Sequence, residues 1–180
     1  VRTDNKFEID HYDGSGLQFQ VLTTAVFRDP SAWYSFVIAY NTEASGSDKI
    51  KIFCNGERIT AFDTANYPAD NYEALWNDNG VSHTIGKHDT KYLSGYLAQL
   101  YWIDGWQLDA TSFGAYDSNN VWQLADYTGS YPGQSYHLFD FENESTLGHD
   151  SSGNNNDWTA NNLSTTAGAG NDVLLDYPVN

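Results

Sequence analysis

Apolar and polar residues alternate with a period of two through much of the first 140 positions, and the pattern breaks at glycine, asparagine and aspartate. Phe7 and Ile9, then Leu17, Phe19 and Val21, flank Asp13-Gly14-Ser15-Gly16, which predicts a hairpin of strands over 6–12 and 17–22. Residues 33–40 are apolar on both alternating faces, with Trp33, Val37 and Ala39 against Tyr34, Phe36, Ile38 and Tyr40. That pattern predicts a strand covered on both sides. Ile50, Ile52 and Cys54 share a face up to Asn55-Gly56, the pair that best tolerates the positive φ angles of a two-residue turn. A second hairpin ending near Thr60 is therefore expected.

Residues 61–79 read as a long irregular loop holding Tyr67, Pro68, Tyr72 and Trp76, and 82–85 as a short strand. The alternation predicts a second strong strand over 92–104, with Leu93, Leu97, Tyr101 and Ile103 against Tyr96, Leu100 and Trp102, closed by Asp104-Gly105. One helical turn is expected over 108–113, and later strands over 121–124 and 136–141. Beyond Asn143 the chain turns small and polar. Short strands between frequent turns, with no helix of useful length, predict an all-β sandwich.

Composition narrows the function. The 180 residues suit one domain, divided here into a sandwich core over 1–142 and an Asn/Gly/Ser-rich segment over 143–180. A net charge of −16, with only 8 Lys and Arg, argues against nucleic acid and against anionic membranes. No apolar run reaches the length needed to cross a bilayer. Cys54 stands alone and reads as a small apolar residue beside Ile50 and Ile52. With no Met and no leader, Val1 reads as the start of a fragment or of a processed chain.

Several segments carry a resemblance. They are the Trp33-Tyr34 strand, KIKIFCNGERIT at 49–60, Ile85-Gly86, GYLAQLYWIDGWQL at 95–108, and a DSSGN loop followed by AGAGND. In this order, over about residues 12–175, the chain resembles laminin-G-like, concanavalin-A-like jelly-roll domains, including those of marine phage structural and tail-fibre-like proteins. The resemblance implies a two-sheet antiparallel β-sandwich of jelly-roll type and a non-enzymatic binding or structural module, virion-borne or extracellular. Such a module would recognise a surface glycan or protein, or pack against neighbouring subunits in an oligomer. Relatives carry a further upstream strand, so one sheet is expected to lack its N-terminal edge strand. The phrase at 136–158 looks like the opening of such a module, and is expected to fold back onto the sheet or to begin a following region.

Three constellations could carry chemistry. Glu8 and Asp10 stand at i and i+2 on one strand face, the repeat that retaining β-glucanases of sandwich fold use for nucleophile and acid with a third acid nearby, but here position 13 is Asp followed at once by a Gly-Ser-Gly turn. The alternative is the solvent face of an edge hairpin. In Asp150-Ser-Ser-Gly-Asn-Asn-Asn-Asp157, oxygen donors on a turn suit a hard cation, and Asp150, Asn154, Asn156 and Asp157 are the candidate Ca²⁺ ligands. There the alternative is a turn that satisfies its own backbone. For a glycan, Trp76, Tyr72 and Tyr67 with Asp78 on one loop, and Tyr92 beyond it, offer aromatic faces beside a hydrogen-bonding carboxylate. The five histidines are dispersed, with no zinc spacing, nucleophile elbow or phosphate loop.

Overall fold

In the computed structural model the described residues are 3–131, 135–143, 145–166 and 172–173. Most of the AGAGND stretch and both chain ends lie outside them. Their secondary structure is antiparallel strand with three short 3-10 turns, so the fold is all-β. The strands are β1 (Lys6–Asp13), β2 (Gly16–Val26), β3 (Phe36–Tyr40), β4 (Ile50–Cys54), β5 (Glu57–Ile59), β6 (Phe62–Asn66), β7 (Lys87–His88), β8 (Lys91–Tyr92), β9 (Leu100–Ile103), β10 (Gly114–Tyr116), β11 (Trp122–Leu124) and β12 (Tyr136–Phe139). The chain divides into two compact units. One comprises residues 3–88 and 107–128, the other 89–106 and the described residues from 129 onward.

The first unit holds two three-stranded sheets, β1-β2-β6 and β3-β4-β5, and the pair β10-β11. Each predicted hairpin forms. β1 and β2 close over the Asp13–Gly16 turn, and β4 and β5 close on Asn55 (φ 48°) and Gly56 (φ 84°). The inward residues Phe19 and Val21 of β2 meet Ile50 and Ile52 of β4, all fully buried, so both sheets line one core. Full burial of side chains this size stabilises by about 1.5–3 kcal/mol each. Phe7 stacks on Phe36 with centroids 4.4 Å apart and extends that core between β1 and β3. A register shift between Lys6 and Glu8 takes Phe7 out of the ladder, and the buried Thr23 hydroxyl accepts its N–H at 3.0 Å.

Four sequence readings are corrected. Residues 33–35 are not strand, because β4 turns back at Asn55 and provides ladder partners only for Phe36–Tyr40. Ile38 is 43% exposed, so β3 is not covered throughout on both faces. β6 forms within the supposed loop; its Asp63, Thr64, Ala65 and Asn66 show no alternation, and the strand exists because β2 offers a free edge. Residues 82–85 form no strand. Of 92–104 only Tyr92 and Leu100–Ile103 are strand, since the partner β12 is four residues long and Gln99 adopts φ 48°. The helical turn is present at Ala110–Ser112, capped by the Asp109 carboxylate, and β10, which sequence did not mark, pairs with β11.

The second unit is built on β9-β12. Ser151 and Trp158 both reach β12. The Ser151 N–H donates to the Leu138 carbonyl at 2.8 Å, and Trp158 meets Phe139 edge-on at 5.3 Å.

Candidate functional site

The loop after β6 carries three of the aromatics marked for ligand binding, and it lies on the inward side of β1. His11, alternating with Phe7 and Ile9, points to that side and is buried. The Leu75 N–H donates to His11 Nε2 at 3.3 Å, so the ring proton sits on Nδ1. Nδ1 then donates to the Tyr72 hydroxyl at 2.9 Å, and that hydroxyl donates to Asp13 Oδ2 at 3.2 Å. Burial, then the hydrogen bond to Asp13 and its charge, push the Tyr72 phenol up. The Asp13 carboxyl is held low, chiefly by the Ser15 hydroxyl and N–H and further by Tyr72 and Gln18, against a smaller opposing effect of burial. Each donor in this relay meets one acceptor, which pins the loop to the sheet.

Trp76 stands among Tyr40 (4.8 Å), Phe19 (5.5 Å) and His11 (6.4 Å). Tyr67 and Tyr72 are likewise half-buried against the core. Their ring faces are largely committed to packing. Asp78 is exposed and accepts the Gly80 N–H at 2.7 Å, shaping its own turn. Tyr92 belongs to the second unit and is exposed. Tyr67, Tyr72 and Trp76 therefore come together as a packing cluster with Asp78 at its turn.

Glu8 and Asp10 share the face of β1 opposite Phe7, Ile9 and His11. In register, Glu8 stands opposite Leu22 and Asp10 opposite Gln20, and Glu8 Oε1 accepts from Gln20 Nε2 at 2.6 Å. Asp13 turns the other way, to Tyr72 on the core side. The three carboxylates thus do not converge on one face.

The Asp150–Asp157 loop is organised by its first residue. Asp150 is buried at 1% exposure, and four donors converge on it. Leu138 N (2.9 Å) and Ser152 N (3.0 Å) reach Oδ1, while Ser152 Oγ (2.7 Å) and Asn156 N (3.0 Å) reach Oδ2. Burial raises this carboxyl, but the hydrogen bonds from Leu138, Ser152 and Asn156 outweigh it and hold the group below the usual carboxylate range. Asn154 and Asn156 both donate through Nδ2 to the Tyr136 carbonyl at 3.3 Å. A calcium cage needs six or more oxygens aimed at one point. Here the Asp150 oxygens face N–H and O–H donors and the Asn154 and Asn156 amides give their nitrogens to the Tyr136 carbonyl, so in this arrangement the loop satisfies its own polar groups. Among the described residues no cluster of three or more His, Cys, Asp or Glu side chains suits a metal ion.

Beside that loop lies a cleft of about 340 Å³ that sequence reasoning missed, lined by Thr146, Leu147, His149, Asp157, Trp158 and Leu163 among others. His149 Nδ1 donates to Asp157 Oδ1 at 3.1 Å, and the same oxygen accepts the Asp150 N–H at 2.8 Å. The Trp158 N–H donates to the Gly148 carbonyl at 2.7 Å, which joins two of the segments that line the cleft. His149 and Asp157 are eight residues apart, and nothing local in the sequence pairs them. The His11 relay did have a signal: a histidine in phase with Phe7 and Ile9 on an apolar face. Compared with known proteins, the chain matches no family model, no curated protein and no solved structure.

Proposed function

We propose that the chain is a non-enzymatic module of a virion fibre or another extracellular assembly, a jelly-roll β-sandwich that packs against neighbouring copies, with recognition of a surface glycan as its second task. One observation carries the packing reading: the exposed apolar run Tyr92 (68%), Leu93 (49%), Tyr96 (66%) and Leu97 (47%). Large side chains left in water this close together in sequence mark an interaction surface. The exposed Lys91 directly precedes them in a chain of net charge −16, so the run carries a local positive charge that suits the acidic surface of another copy. The shared core of β1-β2-β6 and β3-β4-β5 supports the sandwich.

The test is sedimentation of the full chain and of a Tyr96→Ser, Leu97→Ser double variant across roughly 1–200 µM. The wild type is expected to associate and the variant to remain monomeric with unchanged circular dichroism. A wild type monomeric throughout refutes packing between copies. The enzymatic alternative, a β-glucanase acting through Glu8 and Asp10, is tested by reducing-sugar release; equal background rates for wild type and Glu8→Gln remove it.

A further inference from the structure

We infer that the cleft between residues 145–149 and 157–165 is a binding site for an uncharged pyranose sugar. The inference names the site behind the recognition half of the reading above and rests on that half alone. Two kinds of wall meet in the cleft. Leu147, Trp158 and Leu163 supply apolar surface, with Leu163 exposed and the other two half-buried. Ser145, Thr146, Thr165 and the His149–Asp157 pair also line it, the Ser145 hydroxyl donating to Asn143 Oδ1 at 2.7 Å.

The pair is set for hydroxyl recognition. Asp157 Oδ1 accepts from both His149 Nδ1 and the Asp150 N–H. His149 Nε2 and Asp157 Oδ2 are the polar atoms of the pair that face away from this bond, and Asp157 Oδ2 is an acceptor. These groups are held by the backbone. The Asp150 amide fixes Asp157, and the His149 N–H donates to the Thr146 carbonyl at 2.9 Å. Trp158 is braced edge-on by Phe139 at 5.3 Å and His137 at 5.8 Å. A held His–Asp pair, polar lining residues and a braced apolar side chain complement a ring with C–H patches on its faces and hydroxyls on its rim.

Charge settles which sugars. No Lys or Arg lines the cleft, and Asp157 is exposed within it, so phosphates, nucleotides and sialic acids meet a carboxylate and no lysine or arginine. The volume lies at the small end of ligand pockets, which suits one ring.

The experiment is saturation-transfer NMR on the full chain with methyl glycosides of glucose, galactose and mannose, N-acetylglucosamine and N-acetylneuraminic acid, each up to roughly 50 mM. At least one neutral pyranoside is expected to bind with roughly millimolar Kd, as a single small ring allows, and N-acetylneuraminic acid is not. His149→Ala and, separately, Leu163→Ser are expected to weaken that binding at least about tenfold. Trp33→Ala, an exposed tryptophan in the other unit, leaves it unchanged. Leu163 is exposed, so its variant retains the fold even where His149→Ala does not. No neutral pyranoside bound at the highest concentration, binding undiminished in both cleft variants, or tighter binding of the sialic acid each overturns the assignment. Association through 92–97 is a separate measurement, so either reading can fail without the other.

Discussion

Replacing Asp150 tests the central claim about the second unit, that one buried carboxylate holds the 150–157 loop onto β12. Asp150→Ala removes the acceptor for Leu138 N, Ser152 N, Ser152 Oγ and Asn156 N together. Hydrogen bonds to a charged group contribute about 1.5–3 kcal/mol each, but they act as a unit and are offset by the cost of burying the charge. The net loss is about 3–5 kcal/mol. Asp150→Asn keeps one oxygen but presents an NH₂ to donors on the other side, so it costs roughly half as much, about 1–3 kcal/mol.

The pH dependence has a definite sign. Because the folded-state pKa is depressed, the unfolded chain takes up the proton first as pH falls. The stabilisation is therefore complete above the unfolded carboxylate pKa of about 3.9 and is lost as pH drops through the lower folded value. Urea titrations followed by tryptophan fluorescence at pH 7 and near pH 3 measure the gap between wild type and Asp150→Asn, and amide exchange at Leu138 reports the local loss. An Asn variant within about 0.5 kcal/mol of wild type at pH 7 refutes the reasoning, as does a gap that fails to narrow in acid. Calcium provides a second check. With the donors already facing Asp150, millimolar Ca²⁺ is expected to leave Tm unchanged; a rise abolished by chelator and absent in Asp150→Asn would show the carboxylate serving a cation instead.

Two further outcomes are expected. Gly56→Ala places a methyl group against the Trp122 ring at a position with φ +84°, and is expected to destabilise by about 2–4 kcal/mol in urea unfolding; a loss below about 0.5 kcal/mol refutes the close approach. Burial, aided by Glu57, raises the Cys54 thiol from 9.0 to about 11, so its labelling by a thiol reagent at pH 8 is expected to be about 100-fold slower than that of a free thiol. Labelling at the rate of the unfolded chain would overturn that.

The sequence by itself determined the hairpins and their turns. Asn55-Gly56 and Asp13–Gly16 are local signals, since a left-handed turn and a period of two are properties of neighbours in the chain. It also marked all-β structure, and the core face of β1 and β2 through Phe7, Ile9, Phe19 and Val21. Only the tertiary structure decided how far each strand runs, because a strand lasts as long as its partner. β4 ends at Cys54, so Trp33 and Tyr34 fall outside β3, and the four residues of β12 leave Leu93, Tyr96 and Leu97 in water despite their strand-like alternation. The same holds for the sites. Trp76 is a packing residue because Phe19, Tyr40 and His11 reach it from other strands. Asp150 is a buried anchor because Leu138 stands twelve residues away in sequence and 2.9 Å away in space. Residue type gives a side chain its chemistry; the partners that use it come from elsewhere in the chain.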